Sequence, residues 1–393
     1  MTDETFLGGR VTLRPGDCRD VLRSIPDAAI DSVVTDPPYA LVSIVKRFGG
    51  ENAAPAKGDV YGRASAGFMG QQWDTGETAF AVEFWREVMR VLKPGGHLVA
   101  FSGTRTYHRL AVAIEDAGFE IRDQLAWAYG SGFPKSHNAG DGWGTALKPA
   151  WEPIVLARKP LVGTVAANVA AHGTGAINID GCRIETSEPV VTFDRVPGDR
   201  ARDQYRMGTG EARSTIIRGR WPANVVHDGS PEVLGCFPDA PGQMAAVRHD
   251  SGSGQKTSGI LGTFASNSDC TPRGDAGSAA RFFYSAKADA HDRIGSKHPT
   301  VKPVDLMQWL CRLVTPKGGV VLDPFAGSGT TGEAAWREGF RAILVEREEA
   351  FCADIRRRLH IAERPAQRDA VAKAKGKEEG VEGLPLFGMD RAP

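Results

Sequence analysis

Val320-Val321-Leu322-Asp323-Pro324-Phe325-Ala326-Gly327-Ser328-Gly329-Thr330-Thr331-Gly332 reads as a buried strand, a glycine-rich turn and the start of a helix. A second apolar strand, Ala342-Ile343-Leu344-Val345, follows and ends in Glu346. Glycines let the main chain approach a ligand, and a helix N-terminus presents free N–H groups. An acid at the second strand tip is placed to hold ribose hydroxyls. Gly327, Gly329 and Gly332 satisfy the pattern G-x-G-x-x-G, so a nicotinamide or flavin dinucleotide fits this segment as well as any other adenosine ligand.

A second stretch narrows the choice. Ile30-Asp31-Ser32-Val33-Val34 is mostly apolar, predicts a buried parallel strand, and runs into Asp36-Pro37-Pro38-Tyr39. Each proline fixes φ, removes a donor and extends the residue before it. One strand tip thus carries a carboxylate, forward-held carbonyl oxygens and an aromatic face. Such a tip suits an exocyclic amine on a flat ring; alone, it is equally a strand-to-loop turn with a partly buried tyrosine.

Together the two segments resemble the DNA amino-methyltransferases, which methylate adenine N6 or cytosine N4 from S-adenosyl-L-methionine. Asp36–Tyr39 is similar to that family's catalytic motif, Phe325-Ala326-Gly327-Ser328-Gly329 to its cofactor motif, and His298-Pro299-Thr300-Val301-Lys302-Pro303 to the segment that covers the methionine end. The catalytic motif comes first, which resembles the permuted beta group. The resemblance covers roughly residues 10–133 and 286–362. It implies an α/β fold: a doubly wound, mostly parallel, Rossmann-like sheet, permuted, with an inserted irregular target-recognition region. The dinucleotide reading fares worse, because only about fifty residues follow Glu346 and Asp36–Tyr39 is left without a role.

The expected organisation is a catalytic half over 1–133, a target-recognition region over 134–285, a cofactor half over 286–362 and a flexible tail over 363–393. The first and third parts alternate strand and helix patterns. In the middle, glycine, proline, arginine and serine rise and periodicity weakens; Trp151–Ala157 is strand-like and could belong to either neighbour. Seven arginines between 195 and 220 face three acids, a local charge of +4 in a chain of zero formal net charge. That strip, Arg213, Arg218 and Arg220 above all, is read as tracking DNA phosphates, with a solvated loop as the plain alternative.

At 393 residues the chain has room for about two domains. It has no run of some eighteen apolar residues and no signal-peptide pattern at its start, so a cytoplasmic protein is expected. Six cysteines are scattered without a C-x-x-C pair, which argues against a metal site or disulfide framework.

The resemblance further implies that Asp36 and the Pro37 carbonyl accept from the target amine while Tyr39, behind Pro38, stacks on a base rotated out of double-stranded DNA. It implies that Asp323, Phe325, Gly327, Ser328 and Gly329 wrap the methionine part of the cofactor, that Glu346 takes the ribose, and that Asp17 and Cys18 border the adenine. Thr300, Lys302 and Pro303 would close the methionine end. Asp17 also reads as a helix cap, Phe325 as core and Lys302 as a surface lysine; Trp73, Trp127 and Trp143 read as core or loop anchors. Aspartate at the head of the motif favours adenine N6 over cytosine N4. A DNA-binding protein without turnover is the non-enzymatic alternative, and an RNA or protein-glutamine methyltransferase a further one. The resemblance also leaves room for a homodimer and a cognate restriction nuclease.

Overall fold

The apolar runs of the first and third parts assemble into one sheet. The computed structural model describes residues 2–39, 78–132, 136, 138–186, 190–194, 213–217, 219–240, 276–286, 290–294, 296 and 300–363. Its principal strands are β1 (Glu4–Phe6), β2 (Val11–Pro15), β3 (Ile30–Thr35), β4 (Leu92–Phe101), β5 (Glu120–Ala128), β6 (Trp151–Arg158), β7 (Val225–His227), β8 (Val320–Asp323) and β9 (Arg341–Glu346). They lie in the order β1-β2-β9-β8-β3-β4-β6-β5-β7. Pairing is parallel from β2 through β9, β8 and β3 to β4. β6 runs against both β4 and β5, β7 is parallel to β5, and β1 pairs antiparallel with β2.

Helices cover both faces. α1 (Cys18–Ser24), α2 (Val82–Val91) and α3 (Tyr107–Asp116) pack their apolar stripes on the face that carries Val33, Leu98, Ala100, Leu322 and Val345. The helix α4 (Val165–His172) stands beyond the end of β6. On the other face lie α5 (Val304–Val314) and α6 (Thr330–Arg337). Gly332 of α6 has no room for a Cβ: one would meet Leu344 Cδ1 at 2.6 Å and Val11 Cγ1 at 3.2 Å. Leu344 and Val345 point to opposite faces, as adjacent strand residues must. α7 (Glu349–Ala362) closes the chain's last βα unit.

Two of the buried polar residues of β3, Asp31 and Thr35, act as staples. Asp31 accepts from Lys93 Nζ at 2.6 Å and from the Val320 N–H at 2.7 Å, tying β3 to the starts of β4 and β8. Thr35 donates to Asp323 Oδ1 at 2.6 Å, joining the β3 and β8 tips. From β8 the chain winds through α6 to β9 on one side; from β3 it continues to β4 on the other. The crevice between those two tips is the switch point at which ligands bind in open α/β sheets.

The chain divides into two units: residues 1–182, 224–233 and 285–393, and residues 183–223 with 234–284. Residues 134–182 thus fall in the larger unit. Trp151–Arg158 is an interior strand of the sheet, and Val225–His227 returns to it. In the smaller unit Val190–Asp194 pairs antiparallel with Arg213–Ile217, and Asp239–Ala240 with Gly277–Ser278. Arg220 departs from the exposed strip expected of it. It is buried, its guanidinium donates to the Arg281 carbonyl at 3.1 Å, and it lies 4.9 Å from the Phe282 ring. Arg218, Trp73 and the glycine-rich stretch after Tyr39 lie outside the described residues, as does the tail beyond 363. Trp127 is buried as a core anchor should be, but Trp143 is 75% exposed on a short hairpin.

Candidate active site

The β3 tip delivers Asp36, Pro37, Pro38 and Tyr39 directly after the buried Thr35. Lys302, just before α5, reaches them from the other side of the crevice. Its ammonium donates to Asp36 Oδ2 at 2.7 Å and to the Tyr39 hydroxyl at 3.0 Å. It also pairs with Glu152 Oε2 at 3.2 Å, and Tyr39 donates to that same oxygen at 2.9 Å. Two of the three lysine N–H donors are thus committed to Asp36 and Tyr39, with Glu152 as a further ionic partner. The side chains of Lys302, Glu152 and Asp36 are 6%, 10% and 17% exposed. Lys302 is therefore no surface lysine. Burial opposes its charge, but Asp36 and Glu152 together hold its pKa above the ordinary lysine value. Burial pushes the Glu152 carboxyl up, against the pull of Lys302 and with the help of the Asp36 charge.

Asp36 Oδ1 is different. It is buried and accepts no hydrogen bond among the described residues. A buried acceptor left without a donor is costly, of order 1–3 kcal/mol. Lys302 occupies the other oxygen, which leaves Oδ1 without a donor among the described residues. Gly103 makes space for the neighbouring ring, since a Cβ there would stand 3.3 Å from Tyr39 Cδ2.

The glycine turn after β8 is tied down at its base. Asp323 accepts from Thr35, from Thr331 Oγ1 at 2.5 Å and from the Phe325 N–H at 3.1 Å. Burial raises its pKa to about 6 in spite of these donors. With both oxygens occupied, Asp323 shapes the turn. Phe325 is half-buried and meets the Phe84 ring at 5.2 Å, so its core reading is the one the structure displays. Ser328 is buried, and its carbonyl accepts from Arg358 Nε at 2.7 Å. Arg358 is 1% exposed, pairs with the fully buried Glu333 at 2.9 Å and also donates to the Asp292 carbonyl. This ion pair braces the turn from below.

Gly327 and Gly329 take φ values of 52° and 78°, in the left-handed region. Glu346 receives the Gly327 N–H at 2.8 Å and the Glu348 N–H at 2.8 Å, one on each oxygen. Burial raises its pKa to about 7. Each oxygen retains a lone pair for a further donor. A Cβ on Gly329 would press on Ile355 of α7 at 3.0 Å rather than fill space above the turn. Gly329→Val is accordingly expected to cost about 1–3 kcal/mol through its forced φ and to weaken any ligand held by the turn. Urea unfolding and calorimetry on one preparation check both effects.

Other expected residues sit as follows. Asp17 caps α1 and accepts from the Arg19 N–H at 2.9 Å and from its guanidinium at 3.0 and 2.7 Å, so its capping reading is realised. Cys18 is buried, which pushes its thiol up to about 12. Pro303 is buried at the head of α5, Thr300 is half-buried, and His298 and Pro299 lie outside the described residues. Arg213 lies in a strand of the smaller unit. The sequence reading missed Glu152, Glu333 and Arg358. The signal available for Glu152 was its place ahead of Pro153 and the unbroken apolar run Ile154–Ala157. Among the described residues no cluster of three or more His, Cys, Asp or Glu is placed to hold a metal, and no helix is long and apolar enough to cross a membrane.

A family model for DNA methylases of the N6/N4 type matches residues 30–357. The Type II methyltransferase M.HindIII of Haemophilus influenzae is 26% identical over 197 residues, 40% of this chain and 61% of that protein. M2.DpnII of Streptococcus pneumoniae is 41% identical over 68 residues, 17% of this chain and 25% of that one. The matched segments thus span less than two thirds of either relative. Among solved structures, the cytosine-N4-specific PvuII DNA methyltransferase is 15% identical with a TM-score of 0.47, covering 95% of this chain and 97% of that one. TTHA0409, a DNA modification methylase of Thermus thermophilus solved with S-adenosyl-L-methionine, is 19% identical with a TM-score of 0.41, covering 89% and 93%.

Proposed function

We propose, on the premise that the chain belongs to the N6/N4 DNA methylase family, that it methylates the exocyclic N6 of adenine in double-stranded DNA, using S-adenosyl-L-methionine. The observation that carries this reading is Asp36 Oδ1, a buried acceptor that has no hydrogen-bond donor among the described residues, close to Tyr39. An amino group is the donor that completes it. The residues present fit the cofactor: the turn at Gly327–Gly329 allows close main-chain approach, and Glu346 keeps lone pairs for ribose hydroxyls. Asp17, Cys18, Thr300 and Pro303 would border it, and Asp323, Phe325 and Ser328 would shape its cradle.

When bound, S-adenosyl-L-methionine supplies a methyl group on a positively charged sulfur: the C–S bond breaks with its electron pair left on sulfur as the amine lone pair forms the N–C bond. The protein's part is to make that lone pair available and to hold it in line. An aromatic amine is flattened by delocalisation into its ring. Two acceptors, Asp36 Oδ1 and the Pro37 carbonyl, would draw its hydrogens aside and favour a tetrahedral nitrogen. Tyr39 would stack on the flipped base and fix its plane, and positioning supplies much of the remaining acceleration. The methylated nitrogen then releases one proton.

Aspartate at the head of the motif favours adenine, although the same acceptors would serve the N4 amine of cytosine. Arg213 and Arg218 are proposed phosphate contacts; the buried Arg220 is proposed to order their unit instead. Calorimetry tests the cofactor: S-adenosyl-L-methionine and its demethylated product should bind and NAD should not. Tight NAD binding with no response to S-adenosyl-L-methionine would overturn the proposal.

A further inference from the structure

Glu152 carries a charge that the ion pair beside it does not require. Lys302 has a complete counter-ion in Asp36 at 2.7 Å. A second buried carboxylate lies 3.2 Å from the same ammonium, so the cluster of Asp36, Glu152 and Lys302 has a formal charge of −1 when all three groups are ionised. Burying a surplus charge is unfavourable, and a well-packed apolar group there would cost less. The position is also built. Glu152 is the second residue of β6, the strand that runs against its neighbours, opposite Trp127 in β5. Reversal brings the start of β6, rather than its end, to the sheet edge where β3 delivers Asp36. The carboxylate then accepts the Tyr39 hydroxyl at 2.9 Å.

Two consequences follow for a reaction at Asp36 Oδ1. The first is orientation. Tyr39 donates to Glu152 and accepts from Lys302, so its ring is held at the hydroxyl end, while Lys302 is held between the two carboxylates and keeps Asp36 Oδ2 occupied. The second is charge. As the N–C bond forms, positive charge moves onto the amine. A neutral Asp36–Lys302 pair would offer it little; a cluster with net charge −1 in a water-poor site favours it.

We propose that Glu152 is a positioning residue of methyl transfer, holding Tyr39 and Lys302 in place and leaving the cluster net negative beside the reacting amine. This inference rests on the methyl-transfer reading. The groups that face Glu152 are Asp36 and Tyr39 from the β3 tip, Lys302 from the segment before α5 and Tyr129 after β5.

The test uses the full chain, duplex DNA and S-adenosyl-L-methionine. Glu152→Gln keeps the size and an acceptor for Tyr39 but removes the charge. The single-turnover rate should fall by about 10²-fold, the scale of a misplaced reacting group, while cofactor Kd and DNA KM stay within about twofold of wild type. Glu152→Asp, which keeps the charge with shorter reach, should recover part of the rate; it also decides the matter should the glutamine variant not fold. A Glu152→Gln rate within about twofold of wild type would overturn the inference. So would a loss confined to KM, or an aspartate variant that folds and is as slow as the glutamine one. A wild-type protein that binds S-adenosyl-L-methionine yet methylates neither adenine nor cytosine would sink the methyl-transfer reading itself, a separate outcome.

Discussion

Asp36→Ala is expected to leave folding and S-adenosyl-L-methionine binding near wild type and to cut methyl transfer by roughly 10²–10³-fold, the range for removing one preorganised hydrogen-bond partner of a reacting group. Folding should survive because Lys302 keeps Glu152 as a counter-ion when Asp36 is removed. Cofactor binding should survive because the proposed cradle belongs to the β8 and β9 tips. Asp36→Asn should also be poor: its amide retains an acceptor, but the charge is lost and an N–H donor faces either Lys302 or the substrate amine. Single-turnover methylation beside calorimetry separates the two effects. An alanine variant that methylates at a near-normal rate would place the chemistry elsewhere.

The second large effect is on stability. Arg358→Met should destabilise the protein by roughly 3–5 kcal/mol, because breaking a buried ion pair leaves a charge uncompensated. Glu333 is fully buried and loses the Arg358 guanidinium, while Arg337, which pairs with it at 2.6 Å, has a side chain that is 25% exposed. The Ser328 and Asp292 carbonyls lose their donor as well. Urea unfolding should show a lower midpoint with an unchanged slope. Cofactor affinity should drop too, since the Ser328 carbonyl lies within the glycine turn. A midpoint near wild type would mean that water or another side chain takes over the bracing role.

The fold was legible where local pattern and tertiary fate agree. The strands ending at Asp36 and Asp323 are apolar runs closed by Pro-Pro and by Pro-Phe-Ala-Gly, and each signal survives without knowledge of the partner strand. Trp151–Arg158 was ambiguous because Glu152 and Pro153 make its opening look like loop, and an antiparallel strand in a parallel sheet has no crossover helix to announce it. A run of arginines does not say which side chains turn inward; Arg220 bridges to Ile184 and lies over Phe282.

The site divides along the same line. Asp36 and the glycine turn are contiguous motifs. The cluster around Tyr39 is not, since it joins positions 36, 39, 152 and 302 from three distant segments. Lys302 reads from sequence as either a surface lysine or a site residue, and the groups it meets in the fold, Asp36, Tyr39, Glu152 and the Phe101 ring, are all distant from it in sequence. Asp17 and Gly329 show the converse. The cap that Asp17 places on the Arg19 N–H and the closeness of Ile355 to Gly329 are structural reasons for these residue types that need no ligand.

The most direct test of the central claim is modified-base sequencing of duplex DNA treated with the wild-type protein and S-adenosyl-L-methionine, with the Asp36→Ala protein alongside. N6-methyladenine at a defined sequence in the wild-type reaction, and a level lower by at least about two orders of magnitude with Asp36→Ala, is the result the account predicts. Methyl groups on cytosine N4 would correct the base while keeping the mechanism. Unmodified DNA from a wild-type protein that is folded and holds S-adenosyl-L-methionine would contradict it.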